Sequence, residues 1–244
     1  MICADYYAPK NDEYKPDGED AGFISTEKQT SGVADGVGKW WSRYGIDAGE
    51  YARELMVNAL SAHDKEAPAA GIDPKRVLCD AFSITESEGS STACIVSHKD
   101  GVIRAANVGD SRFIVFRKDK IVYRSPIQQR RFNCPYQLGN SEKSDKPKCA
   151  VQISFPVVEG DVIILGTDGF FDNIFEKEAE AVLEKNGDLD PDELAKYIGE
   201  LALSNSLNCF DDSPFSVEAK RAGKDYSGGK EDDITVIVGK IVRN

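Results

Sequence analysis

The chain of 244 residues carries 42 acidic residues against 30 basic ones, a formal net charge of −12, and 41% of its residues are apolar. This length and apolar content are enough for one large α/β domain with a substantial core. The acidic balance, with no basic stretch long enough to follow a phosphate backbone, excludes nucleic acid as the expected partner. The longest apolar runs have the length of a strand, far short of the roughly 20 residues of a membrane span, so none is expected.

Cysteine usage and the first residues bear on the compartment. The six cysteines lie far apart and form no CxxC pair, which is typical of reduced thiols in an intracellular protein. Residues 1–5 carry neither the apolar core of a signal peptide nor an Arg-rich transit segment. The sequence therefore predicts an intracellular, cytoplasmic protein, with the mitochondrion or a plastid as the alternative if the N-terminus is processed or trimmed.

Two amphipathic helices are predicted in the first third of the chain. The first begins after Asp47, whose carboxylate suits an N-cap, and the second begins at Asp73-Pro74. Their apolar faces are formed by Tyr51, Leu55, Ala59 and Ala62 in the first helix and by Val77, Leu78, Ala81 and Phe82 in the second.

A strand-rich stretch follows the helices. Strands are predicted at 92–97, 102–108, 113–117 and 121–123, with a turn at 98–101, and we interpret them as an antiparallel meander. After a polar loop at 125–148 come strands at 151–155 and 162–166, helices at 177–185 and 191–204, and a last strand at 234–242. Because helices are segregated from antiparallel strands, we predict an α+β fold, a four-layer α-β-β-α sandwich of two antiparallel sheets flanked by helix pairs.

Apolar segments continue to the C-terminus without a linker, a repeat or a low-complexity tract. Residues 1–244 are therefore predicted to form a single domain. A monomer is expected.

Four short acidic motifs lie where predicted strands begin or end: Glu19-Asp20, Asp35-Gly36, Asp168-Gly169 and Asp232-Asp233. Each alone is also typical of an ordinary turn or of solvated acids. Carboxylates gathered from distant segments repel one another by roughly 4 kcal/mol per close pair at an effective dielectric near 20, so they need a counter-charge. Two hard divalent cations about 3.5–4 Å apart would supply it, and they can hold a phosphoryl group and activate a water. The motifs favour a two-metal hydrolase acting on phosphate.

The order and context of these motifs resemble the type 2C, metal-dependent serine/threonine protein phosphatases over nearly the whole chain. The resemblance is carried by Glu19-Asp20, 34–38, 89–93, 107–112, 167–173 and 232–235. Finer features at 38–40, 128–138 and 213–215 resemble the T-cell-activation subgroup of that family. Members of this subgroup occur in mitochondria and plastids.

The resemblance implies hydrolysis of phosphoserine and phosphothreonine in proteins by a water that bridges two divalent cations, Mg²⁺ or Mn²⁺, with a weaker third ion. Phosphorylated proteins are the implied partners, and residues 1–244 would be one catalytic domain. The implied ligands are Asp35 between both ions, Gly36 through its carbonyl, Asp168 and Asp232 on one ion, Glu19 and Asp20 through waters, and Asp110 with Asp168 at the third ion. Asp35, Asp168 and Asp232 are thus the implied catalytic residues.

Two positions depart from the family pattern. Val37 stands where many members carry a histidine suited to protonating the leaving alkoxide. Lys15 stands where many carry a phosphate-binding arginine, and it offers a point charge instead of a bidentate fork. Lys15 is interpreted as substrate-binding, with a solvated lysine as the alternative, and the histidines His63 and His98 are expected at the surface. These departures leave open a catalytically weak or inactive module that binds phosphoproteins.

Two other classes of phosphate-binding protein do not fit the sequence. A haloacid-dehalogenase-type phosphatase needs an Asp-x-Asp pair near its first strand, but Asp35 is flanked at those offsets by Val33 and Val37. A P-loop protein needs a serine or threonine directly after the lysine of its glycine-rich loop, and Trp40 follows Lys39 here.

Overall fold

The structure, a computed structural model, describes residues 1–65 and 71–243 and, within them, all side chains except those of Asp64 and Lys65. The strands in these ranges are β1 (Ile2–Ala8), β2 (Asp20–Ser25), β3 (Thr30–Asp35), β4 (Ser90–Ser91), β5 (Ala93–Lys99), β6 (Val102–Val108), β7 (Arg112–Arg117), β8 (Lys120–Arg124), β9 (Gln129–Arg131), β10 (Cys134–Pro135), β11 (Leu138–Gly139), β12 (Val151–Pro156), β13 (Val162–Gly166) and β14 (Ile234–Lys240). The α-helices are α1 (Lys39–Tyr44), α2 (Ala48–Lys65), α3 (Pro74–Ile84), α4 (Asp168–Phe171), α5 (Glu176–Asn186), α6 (Pro191–Ser206) and α7 (Pro214–Arg221).

Two antiparallel sheets of five strands each form the two inner layers. One sheet has the strand order β1-β14-β13-β7-β8, and the other has the order β12-β6-β5-β3-β2. Helices α2 and α3 pack against the second sheet, and α4, α5 and α6 pack against the first. The predicted α+β fold, a four-layer α-β-β-α sandwich, is confirmed.

The space between the sheets is filled by apolar side chains that alternate with outward-facing residues along the strands. Val33, Phe113, Ile163, Leu165 and Ile237 meet there, and each is at most 3% exposed. Burying a side chain of this size stabilises the fold by about 1.5–3 kcal/mol relative to exposure. The two sheets are therefore held face to face, and their strand ends are kept in a fixed relation.

The predicted helices begin where their caps indicate. Asp47 accepts a hydrogen bond from the backbone N–H of Gly49 at 2.8 Å, and Asp73 accepts one from the backbone N–H of Lys75 at 3.0 Å. Among the described helices, none is long and apolar enough to cross a membrane. The predicted polar loop at 125–148 is more ordered than expected, because it contains the ribbon β9–β10 and the strand β11, which pairs with β4.

The predicted meander is wrong. Strands β5 and β6 pair in one sheet and β7 and β8 pair in the other, so the chain changes sheets between Val108 and Arg112. Gly109 makes this corner with a φ of +100°, and a Cβ there would lie 2.6 Å from Cγ2 of Thr92 and 2.7 Å from the carbonyl oxygen of Tyr136. The crossing places Asp110 where the ends of both sheets meet.

The expectation that both histidines lie at the surface is also wrong. His63 is fully buried and His98 is 9% exposed. His63 lies one helical turn after Ala59, so it continues the buried face of α2, where its ring centroid is 6.4 Å from that of Phe23. His98 belongs to β5, and the turn begins only at Asp100, which has a φ of +51°.

Candidate active site

The acidic motifs meet at one end of the sandwich, where strands of the two sheets terminate. Asp20 begins β2 directly opposite Asp35, which ends β3. In the other sheet, Asp168 lies just beyond the end of β13, and Asp232 lies just before its neighbour β14. The antiparallel registers therefore bring four residues from distant parts of the sequence to the same place.

Asp20 links the two sheets. Its Oδ2 accepts hydrogen bonds from Oγ1 of Thr167 at 2.8 Å and from Oγ1 of Thr235 at 2.6 Å. In the opposite sheet, Thr235 lies in β14 and Thr167 directly follows the end of β13. Asp20 is buried. These two hydroxyl donors fix the orientation of the carboxylate, so only its other oxygen remains for a further ligand.

Gly36 allows the end of β3 to pass close to two other backbone segments. A Cβ at this position would lie 2.6 Å from the carbonyl oxygen of Glu19 and 2.8 Å from that of Ala48. No side chain fits there without moving backbone, so Gly36 holds Asp35 against the start of α2.

The oxygen atoms at this end suit a divalent cation. One carboxylate oxygen each from Asp35, Asp110 and Asp168 lie within 4.8 Å of one another. Oδ1 of Asp110 and Oε1 of Glu19 are buried without a hydrogen-bond partner in the described part of the chain. Buried carboxylate oxygens rarely go unpaired, and Mg²⁺ and Mn²⁺ prefer carboxylate ligands. The residues present fit a divalent metal site.

The crowded carboxyls have strongly altered proton affinities. Burial, followed by the charge of Asp168, raises the pKa of Asp35 well above its ordinary value. Burial and the same neighbouring charge raise the pKa of Asp110 to about 7. Burial also raises the pKa of Asp168, but Lys230 outweighs it and holds that pKa below its ordinary value. In the absence of cations, Asp35 and Asp110 therefore retain protons at a pH where isolated carboxyls are ionised, whereas Asp168 stays ionised.

Two lysines supply positive charge inside the site. Nζ of Lys15 bonds Oε2 of Glu19 at 2.5 Å and lies 3.7 Å from Oδ2 of Asp12. Nζ of Lys230 bonds Oδ2 of Asp168 at 2.5 Å and Oδ2 of Asp172 at 2.8 Å. Lys15 was predicted from the sequence, but Lys230 and Asp172 were not.

The sequence contains a weak signal for Asp172 and hardly any for Lys230. Asp172 lies one helical turn after Asp168, a spacing that places both carboxylates on one side of α4. Lys230 is separated from Asp168 by 62 positions, and only its place two residues before Asp232 connects it to the site.

A cavity of about 380 Å³ opens over these residues. It is lined by all the predicted site residues except Asp20 and Asp110, together with Val37 and Lys230. Asp110 faces a neighbouring groove of about 930 Å³, which shares Asp168 with the cavity. Neither lining includes a histidine among the described residues. No histidine from another described segment therefore supplies the proton donor that is missing at Val37.

Comparison with known proteins places this arrangement in a family. No protein-family model matches the chain. The chain is 45% identical over 240 residues to "Probable protein phosphatase 2C 55" of Arabidopsis thaliana, covering 98% of the chain and 51% of that protein. It is 38% identical over 245 residues to "Protein phosphatase PTC7 homolog fig" of Drosophila mojavensis, covering 92% of the chain and 78% of that protein.

Among solved structures, the X-ray structure of the photosystem II phosphatase PBCP superposes with a TM-score of 0.90 at 32% identity, covering 98% of both chains. The chain therefore shares the fold of that phosphatase. The chain belongs to the type 2C protein phosphatase family. It spans about half the length of the first curated relative, 51%.

Proposed function

We propose that this chain hydrolyses phosphoserine and phosphothreonine in proteins with two divalent cations, Mg²⁺ or Mn²⁺. The observation that carries the proposal is the convergence of Asp35, Asp110 and Asp168, whose oxygens lie within 4.8 Å at the meeting point of two sheets. Residues 1–244 would form one catalytic domain, of which residues 66–70 and 244 lie outside the described part.

The residues of the site would have different roles in binding the cations. Asp35, Asp168 and Asp232 would ligate cations directly, and Gly36 would do so through its carbonyl oxygen. Glu19 and Asp20 would hold water molecules. When bound, such ions supply an activated water and stabilise negative charge on the phosphoryl oxygens.

In this proposal, Asp110 and Asp168 would together hold a third cation that binds more weakly than the other two. Oδ2 of Asp110 accepts a hydrogen bond from Nε2 of Gln129 at 2.7 Å, while Oδ1 has no partner in the described structure. One oxygen is thus oriented by the protein and the other is available.

The surroundings of the cavity support a phosphoprotein as substrate. A second cleft of about 250 Å³ shares Val37 and Lys39 with the cavity and is also lined by Arg43, Arg130 and Lys143. In a chain with a net charge of −12, a cationic cleft beside the site favours an anionic phosphopeptide.

The compartment proposed is a reducing one inside the cell. All six cysteines are described, and each is a free thiol. The similarity to a photosystem II phosphatase supports a plastid as the first compartment to test, and the cytoplasm and the mitochondrion stay the alternatives.

The proposal is tested by incubating the purified chain with a phosphoserine peptide and Mn²⁺, with EDTA as the control. Release of phosphate that requires the metal supports the enzyme. Tight binding of the phosphopeptide without release would favour the non-catalytic module that Val37 and Lys15 leave open.

Lys15→Ala should raise KM for a phosphopeptide about tenfold or more, with a smaller effect on kcat. A charge-assisted hydrogen bond contributes about 1.5–3 kcal/mol. If Lys15 binds the phosphate equally well in the ground state and the transition state, loss of this contact weakens substrate binding and leaves turnover nearly unchanged. Lys15→Arg should keep KM near the wild-type value, because its guanidinium can bind the same oxygens.

Lys10→Ala is the matched control for Lys15, since Lys10 lines the same cavity but is tied to Asp233 through its backbone N–H. Because Lys15 also bonds Glu19, the Mn²⁺ concentration for half-maximal activity should be measured for each variant. An unchanged KM in Lys15→Ala would refute the role as phosphate anchor.

A further inference from the structure

The cationic cleft beside the cavity contains three cationic side chains that have no partner within the described part of the chain. The fourth, Arg130, is neutralised, because its Nη2 lies 2.6 Å from Oδ1 of Asp145. By contrast, the charged groups of Lys39, Arg43 and Lys143 make no described hydrogen bond or ion pair. Lys39 and Arg43 are one helical turn apart on α1, so both can reach the same anion. The cleft therefore offers three free cationic groups to a ligand.

The two walls of this cleft are joined by a chain of hydrogen bonds. Nε1 of Trp40 in α1 donates to Oγ of Ser90 at 2.5 Å, and that hydroxyl donates to Oε1 of Gln137 at 2.5 Å. The backbone N–H of Gln137 donates to Oδ2 of Asp145 at 3.0 Å. Helix α1 is thus connected to the segment that carries Lys143, and the cationic groups are held on two sides of one cleft.

The groove beside the cavity has the opposite charge to the cleft. Its described lining has six carboxylates against three cationic side chains. The groove joins the cavity at Asn133 and Asp168, whereas the cleft joins it at Val37, Lys39 and Gln137. Among the described residues, the groove and the cleft share none of their lining. Two depressions of opposite charge therefore adjoin the cavity at different places.

We propose that the cleft binds acidic side chains of the substrate, and that its preferred substrates carry these side chains on one side of the phosphoserine only. The inference rests on the phosphatase function proposed above. A peptide whose phosphoserine lies in the cavity runs in a fixed chain direction, so only one of its flanks can enter the cleft. Carboxylates on the other flank meet the acidic groove and gain nothing there. Lys39, Arg43 and Lys143 are then specificity-determining residues.

The test compares three phosphoserine peptides of equal length in the presence of Mn²⁺. One has glutamates only on the N-terminal side of the phosphoserine, one has them only on the C-terminal side, and the third has alanine at all these positions. One acidic peptide should have a KM about fivefold below that of the alanine peptide, and the other should show no gain. The values of kcat should agree within about twofold, because the cleft contacts the flank and not the reacting phosphoryl group. The gain in KM should shrink at high salt, which screens exposed charges.

The double variant Arg43→Glu/Lys143→Glu should lose this gain and should instead favour a peptide with lysines on the same side. Lys185→Glu/Lys224→Glu is the matched control. It carries the same change of net charge at two exposed lysines that line neither the cavity, the groove nor the cleft, and it should keep the wild-type ratio of KM values.

Three outcomes would overturn the inference while leaving the phosphatase proposal intact. They are equal KM values for all three peptides, equal gains from both acidic peptides, and a gain that persists in the double variant. Absence of metal-dependent phosphate release from every peptide would instead contradict the proposed function, and the inference with it.

Discussion

Asp35→Asn and Asp168→Asn should each lower kcat for a phosphoserine peptide by about 10³-fold or more. Each change replaces a carboxylate by a neutral amide where both candidate ions need negative oxygen ligands. A bound metal ion stabilises the negative charge of the transition state by several kcal/mol, and this stabilisation is lost with the ion. Each loss of about 1.4 kcal/mol lowers the rate tenfold. The measurement is phosphate release under saturating Mn²⁺.

The control for these two variants is Asp100→Asn. Asp100 lies in an exposed turn with a φ of +51°, a conformation that asparagine also adopts readily. This variant carries the same change of charge and should keep wild-type turnover. Near-normal kcat in Asp35→Asn or Asp168→Asn, with an unchanged circular dichroism spectrum, would contradict the two-metal proposal.

The layers of the fold could be predicted because they depend on local patterns. Apolar periodicity located α2 and α3, and the run 162–166 located β13 to the residue. The partner of each strand could not be predicted in the same way. Strands β6 and β7 are adjacent in sequence but lie in different sheets, since the corner at Gly109 requires contacts with Thr92 and Tyr136 from distant segments.

The acidic part of the candidate site was visible in the sequence because each carboxylate stands beside a strand end and a glycine or a second acid. Its cationic part was not. Lys230 reaches the site through a loop that Asn173 holds by two hydrogen bonds, and no local pattern marks that contact. The prediction that the histidines lie at the surface was wrong for a related reason. It was based on polarity alone, which does not reveal that His63 continues the apolar face of its helix.

The same burial that gathers the carboxylates should make the metal-free protein sensitive to pH. Asp110 has a pKa of about 7 in the folded protein, raised by burial and by the charge of Asp168, against about 3.9 in an unfolded chain. Between these values the folded state binds more protons than the unfolded state. The stability contributed by this group is therefore complete below about pH 4 and is lost as the pH rises through about 7.

In EDTA, the free energy of unfolding should fall by about 2 kcal/mol between pH 5.5 and pH 8 from Asp110 alone, or about 4–8 °C in melting temperature. The raised pKa values of Asp35 and Asp20 act in the same direction. Asp110→Asn, which cannot titrate, should show a smaller fall. Constant or rising stability of the wild type over this range would contradict the prediction.

Added Mn²⁺ should reverse the trend, because cations bind the ionised carboxylates and compete with protons. At a hundredfold excess over Kd, binding to the folded state adds about 2.7 kcal/mol. The rise in melting temperature with Mn²⁺ should therefore be larger at pH 8 than at pH 5.5. The double variant Asp35→Asn/Asp168→Asn should lose most of that rise at both pH values, and a wild-type rise in this variant would place the stabilising ions elsewhere in the chain.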